Sequence, residues 1–339
     1  LTNLIWLWGQ FIDHDVTLVH TSNEKENIVV PKGDPHFDPN SEGNKYISFS
    51  RSSIKEGTGE NDIPREMLNS LTPFIDASVV YGSTPERNKF IREFKDGKLK
   101  MSHCGMLPIN DGTIENGGSD MSANFVAGDI RANEHIGLIS IHTLWVREHN
   151  WWAKKIKNFC KYLDDEQIYQ TARVIVESEI QAITFNEFLP ALLGKCNIKK
   201  YTGYDSDVNP QVSHIFSVSC YRLHTLIPSR PIKSMPLKEQ FFASYLMSNK
   251  FTLENIFEEY SSRKCEEFDN HLIDDLRNFL FGPPGAGGHD LVALNIQRGR
   301  DHCLPNYNKV REYLGLNKKN NFNEISNNSN LNHKIENTY

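Results

Sequence analysis

The sequence predicts a mainly α-helical protein with little β structure. Three observations carry this. Long stretches repeat apolar residues at helical spacing, broken by Pro and Gly; strand signals are few; and 339 residues, 38% hydrophobic and 24% charged, suffice for a large core. No linker divides the chain and no repeat is visible, so residues 1–339 read as one domain.

The elements follow in order. Residues 1–19 read as a helix, and residues 20–62, with Pro31, Pro35, Pro39 and several Gly, as polar and irregular. Residues 131–158 read as one long helix with Asp129 as its N-cap, and residues 164–194 as one or two helices stopped by Gly194. Residues 210–227 look like another helix. Gly282 to Gly288, GPPGAGG, is a loop, and residues 289–297 run apolar again. The tail from Asn317 is Asn/Lys-rich, yet Phe322, Ile325, Leu331 and Ile335 still suggest helix.

Composition excludes some classes. The formal net charge of −6 offers no basic footprint for nucleic acid. No apolar run reaches the length of a membrane span. Six scattered cysteines without a CxxC pair argue against zinc, and their even number is compatible with disulfides in an oxidising compartment. The chain opens at Leu1 inside a helical pattern, so residue 1 does not read as a natural start.

The opening helix holds a histidine between two aspartates, in WGQFIDHDV from Trp8 to Val16. At 100° per residue, Leu4, Leu7, Trp8, Phe11 and Ile12 form an apolar stripe with Asp15 in its middle. Gln10, Asp13 and His14 fall on another side, beside Trp6, and Gln10 and His14 are i, i+4 neighbours able to meet one ligand. A histidine on a helix is most often a satisfied structural residue, so this helix alone carries no function. In LTPFIDAS, Leu71 to Ser78, oxygen recurs at every second residue: Thr72, the Phe74 carbonyl, Asp76 and Ser78. Such a loop can wrap a hard cation, with Asp15 as a further donor. On this segment alone, a turn whose Thr, Asp and Ser satisfy their own backbone is the better reading.

Four segments in one order resemble the animal haem peroxidases, the group of peroxidasin, thyroid peroxidase and myeloperoxidase. WGQFIDHD resembles the distal-histidine helix, and LTPFIDASVVYGS (Leu71 to Ser83) the calcium loop. AGDIRANE (Ala127 to Glu134), followed by HTLWVREHN (His142 to Asn150), resembles the distal-arginine segment. LNIQRGRDHCLPNYN (Leu294 to Asn308) resembles the segment bearing the proximal asparagine. The likeness spans nearly the whole chain, and the family domain extends further at both ends, so residues 1–339 look like a domain incomplete at both ends.

The resemblance implies a large multi-helix haem peroxidase fold with the haem between central helices. It implies haem b as cofactor, with Asp13 and Glu134 as the carboxylates able to form ester links, and calcium held by Asp15, Thr72, Phe74, Asp76 and Ser78. His14 would be the distal acid–base residue, since a neutral imidazole can take a proton from one peroxide oxygen and return it to the other. Arg131 would be the cation that helps polarise the scissile bond, and Gln10 would orient peroxide, water or a halide. His224, in YRLHTLI, would hold the iron, with Asn295 accepting from its other ring nitrogen. The implied activity is reduction of hydrogen peroxide and oxidation of halides or small phenols through a ferryl intermediate, in a secreted or lumenal protein. His142, His149 and His302 are read as structural.

Several positions depart from the family pattern. His135 follows Glu134 where a methionine would make a sulfonium link to haem, so that link is not expected. Tyr46 stands where a cysteine is usual and its partner among residues 51–62 is missing, which looks like loss of one disulfide. Cys303 stands at a usual glycine. The proximal segment reads Tyr221, Arg222, Leu223, His224 instead of Arg-x-Gly-His, so the arginine moves about 100° round a helix and its role as a propionate partner is put in doubt. Tyr221 three residues before His224 is similar to cyclooxygenases and fatty-acid α-dioxygenases, where that tyrosine forms a radical; a packed core tyrosine is the plainer reading. Three functions therefore stand: a haem peroxidase, favoured by the filled ester positions; a fatty-acid dioxygenase using Tyr221; and a catalytically silent matrix or adhesion module that keeps the fold and calcium site.

Overall fold

The computed structural model describes residues 1–117, 124–194, 198 and 200–339. The chain is mainly helical, as the periodicity predicts. In order come α1 (Leu4–Val16), β1 (Thr21–Lys25), β2 (Ile28–Val29), β3 (Tyr46–Ile47), β4 (Ser50–Ser52), α2 (Ser78–Tyr81), α3 (Pro85–Ile91), α4 (Ile136–Phe159), α5 (Asp165–Ile183) and α6 (Leu189–Leu193). Then follow α7 (Leu246–Asn249), α8 (Leu253–Ser262), α9 (Asp274–Arg277), α10 (Leu291–Asp301), α11 (Tyr307–Tyr313) and α12 (Ser329–Glu336).

The core gathers around α1 and α4. Leu7, Phe11, Leu138, Ile139, Val176 and Ile180 are fully buried, and α4 packs along α5. Indole and phenyl rings key α1 to α4: Phe11 stacks on Trp145 at 6.4 Å and meets His142 edge-on at 5.2 Å. Asp164 and Gln167 cap α5 with a reciprocal capping box. A π-helical turn, Thr184–Phe188, joins α5 to α6, and Gly194 ends the run at φ +83°.

Four expectations need correction. The long helix begins at Ile136, not 131, and its cap is not Asp129: the His135 side chain accepts from the Leu138 N–H. The Asp129 carboxylate is taken by Arg131 instead. Residues 210–227 are not one helix. A π-helical turn at Phe216–Cys220 and a 3-10 turn at His224–Leu226 flank a non-helical stretch. Within that stretch the Tyr221 hydroxyl donates to the Gly9 carbonyl at 3.1 Å, packing its ring against α1. Residues 20–62 are polar but not wholly irregular: β1 pairs with β4 and β2 with β3, both antiparallel. These strands are mostly exposed, so no apolar alternation announces them. Cys303 keeps the left-handed turn that a glycine would suit, at φ +51°.

The five described cysteines, Cys104, Cys160, Cys220, Cys265 and Cys303, are unpaired; Cys196 lies outside the described residues. No helix among the described residues is long and apolar enough to cross a membrane.

Candidate functional site

One cavity of about 370 Å³ is lined by Gln10, Asp13 and His14 from α1, Arg131 and Glu134 from the turn before α4, His224, and Asn295 from α10. The helical period explains the α1 contribution. Its polar face opens on the cavity while Asp15, one residue on, is buried on the other side.

The α1 residues are held by a chain of polar contacts. Gln10 donates to the Glu134 carboxylate at 2.8 Å, and its carbonyl pairs with His135 Nε2 at 2.9 Å. His135 Nδ1 already accepts from the Leu138 N–H, so Nε2 carries the proton and donates, which orients the Gln10 amide. Thr17 donates to Asp13 at 3.0 Å. Burial raises the Asp13 carboxyl above its ordinary range against the opposing charge of Arg131, and pushes Glu134 up to about 7. Burial and then the Arg131 charge hold His14 well below its usual value, so its imidazole is neutral.

Arg131 is fixed. Its Nε and Nη2 donate to the two oxygens of Asp129, both at 2.9 Å, and Nη2 reaches the His14 carbonyl at 3.2 Å. Burial alone would raise the Asp129 carboxyl, but the Arg131 charge, the nearby His14 and the hydrogen bonds from Arg131 together drop it far below its usual range. This turn docks on α2, and glycine is required there: a Cβ at Gly128 would run into the backbone oxygens of Ser78 and Val79.

His224 Nδ1 is buried and takes no hydrogen bond, and burial, then Arg222, lowers its pKa to about 4. Asn295 lines the same cavity, without a hydrogen bond to it. Arg222 and Arg298 also border it. Because residues 221–223 are not helical, the displaced arginine is not swung away from the cavity.

The second group, Asp15 with residues 72–78, lies outside this cavity. Asp15 accepts from Ala77 N at 3.2 Å, Val79 N at 3.1 Å and Ser78 Oγ at 3.0 Å. Asp76 accepts from Ser78 N at 3.0 Å and Thr72 Oγ1 at 2.7 Å, and Thr72 lies 3.5 Å from the Phe74 carbonyl. Burial, reinforced by the charge of Asp76, pushes Asp15 up to about 7, and among the described residues it has no ion pair.

The histidines read as structural have ordinary partners. His142 contacts the Val79 carbonyl at 3.0 Å, His149 the Gly97 carbonyl at 2.8 Å, and His302 the Ser52 hydroxyl at 2.7 Å. Sequence reasoning missed Asp129 and His135 as members of the site. The Asp129-x-Arg131 spacing is the one signal for the first; nothing local marks His135 as the partner of Gln10.

The family model of animal haem peroxidases matches residues 1–339. The chain belongs to the animal haem peroxidase family. It is therefore a haem-binding chain, and the cavity fits that group: it offers a buried imidazole nitrogen without a partner at His224 and a neutral imidazole beside a fixed cation at His14 and Arg131. The chain is 33% identical to Peroxinectin A of Dictyostelium discoideum, covering 100% of this chain and 68% of that protein. It is 32% identical to a mouse peroxidasin homolog over 96% of this chain, but spans only 26% of that protein. Among solved structures, Peroxidase A from Dictyostelium discoideum matches with a TM-score of 0.93 and 32% identity, covering 100% of this chain and 70% of the other.

Proposed function

We propose that this haem peroxidase reduces hydrogen peroxide and oxidises halides or small aromatic donors, with haem b in the cavity described. The observation that carries this is the convergence of His14, Arg131 and His224, from three distant segments, on one cavity. Bound haem supplies the iron at which the peroxide bond is broken.

His224 would hold the haem iron through one ring nitrogen, and Asn295, which lines the same cavity, would be the acceptor for the other. His14, neutral and buried, takes the proton from one peroxide oxygen and returns it to the other. Arg131, fixed by Asp129, stabilises charge on the departing oxygen. Gln10 has its carbonyl and one amide hydrogen engaged by His135 and Glu134, leaving one N–H to orient peroxide or a halide. Asp13 and Glu134 are the carboxylates for ester links to haem. Asp15, Asp76, Thr72, Ser78 and the Phe74 carbonyl form a calcium site: two carboxylates near one another without a basic partner suit a hard cation. The compartment is extracellular or lumenal, as the family resemblance implies.

The test uses the complete gene product loaded with haem. Hydrogen peroxide is added, and the Soret band and iodide oxidation are followed together. A Soret shift with iodide turnover is expected. Bound haem without iodide turnover, but with oxygen uptake on a fatty acid, would overturn this reading in favour of Tyr221 chemistry. No haem uptake would leave a calcium-tied scaffold.

A further inference from the structure

One buried carboxylate stands against two of the side chains assigned to peroxide, His14 and Arg131. Asp129 is 4% exposed. Its Oδ1 accepts from the Arg131 backbone N–H at 2.8 Å and from Nε at 2.9 Å, and Oδ2 accepts from Nη2 at 2.9 Å. The same Oδ1 lies 3.6 Å from His14 Nδ1, a buried nitrogen with no hydrogen-bond partner. The carboxylate neutralises a cation that would otherwise be buried alone. It also bears on the imidazole. A neutral histidine carries one N–H, and a carboxylate facing Nδ1 draws the proton to that side, leaving Nε2 as the free base.

We propose that Asp129 is a positioning residue for peroxide chemistry: it selects the His14 tautomer with Nε2 unprotonated while holding the Arg131 guanidinium. This rests on the roles proposed above for His14 and Arg131. At 3.6 Å the contact is longer than a hydrogen bond, and it acts as a close charge–imidazole contact. Such contacts commonly tighten when a site is occupied. An asparagine at 129 would keep the shape but could donate to Nδ1, which favours the opposite tautomer.

The test uses the full haem-loaded protein and cyanide, which arrives as the weak acid HCN and must lose a proton on binding. Its association rate, read from the Soret band, reports on the distal base without turnover. Asp129→Asn is expected to slow association at least about tenfold, and Asp129→Glu to retain a rate within roughly threefold of wild type. In a His14→Ala background, Asp129→Asn is expected to slow association by a clearly smaller factor, because only its hold on Arg131 remains. If Asp129→Asn does not take up haem, Asp129→Ser takes its place under the same criteria. Equal slowing with and without His14, or no slowing at all, would overturn the inference. Equal rates in wild type and His14→Ala would overturn the role of His14, and this inference with it. Unequal rates there with a silent Asp129→Asn would overturn this inference alone.

Discussion

The hydroxyl of Ser78 donates to the carboxylate of Asp15 at 3.0 Å across 63 positions of sequence. This contact ties the last turn of α1 to the loop that starts α2, one residue away from His14. Anything bound at Asp15 therefore bears on where His14 sits.

Calcium is expected to stabilise the chain. At about 100 times its Kd the ion would add about 2.7 kcal/mol, or roughly 5 °C in Tm for a chain of this size. Asp76→Asn removes one of the two carboxylates and should abolish the response. Thermal unfolding with calcium and with chelator decides it; identical curves in wild type would sink the site.

Glu134 should make stability depend on pH. Its folded pKa of about 7 lies above the ordinary 4.5, because burial outweighs Arg131. The neutral carboxyl is thus favoured in the folded chain. Its contribution is present in full below about 4.5, falls as pH rises towards 7, and is flat above that, a change of at most about 3 kcal/mol. Before haem is loaded, Glu134→Gln should lessen the pH slope of urea-unfolding free energies across this window, leaving the part due to Asp13 and Asp15. An unchanged slope would refute the prediction.

Tyr221→Phe separates two chemistries. The hydroxyl makes one bond, to the Gly9 carbonyl, and its loss should cost about 1 kcal/mol of stability. Peroxide-dependent iodide oxidation should stay within roughly threefold of wild type, since a hydroxyl tied to the backbone is not needed for proton transfer at His14. A loss of iodide turnover alongside fatty-acid oxygenation in wild type would point to a tyrosyl radical instead.

Cys303 adopts φ +51°, where a Cβ is disfavoured. Cys303→Gly should raise stability by about 0.5 kcal/mol, the relief of backbone strain being partly offset by the greater freedom of glycine when unfolded. The urea midpoint measures it, and a fall would mean that the thiol packs usefully.

Much of the fold was legible because its signals are local. The helix opening near residue 164, the stop at Gly194 and the 3.6-residue period of α1 each lie within a few residues. The strands between residues 20 and 62 were not legible, since their exposed faces carry no alternation. The break at Tyr221–Leu223 was hidden for another reason: no proline or glycine marks it, and the stretch meets α1 only in the tertiary fold, through Tyr221 and Gly9.

By itself, the sequence determined that α1 turns two polar sets to opposite sides, with Asp15 among apolar neighbours and Gln10, Asp13 and His14 together. The helical period dictates that. It also marked, by motif order, which distant segments belong with α1. Only the tertiary structure decided that Asp129 grips Arg131 rather than capping a helix, that His135 orients Gln10, and that Arg222 still borders the cavity. Each depends on which partner a polar side chain meets once buried. Burying a polar group is costly unless it is paired, so the packed fold decides which of the available partners, near or far in sequence, it takes.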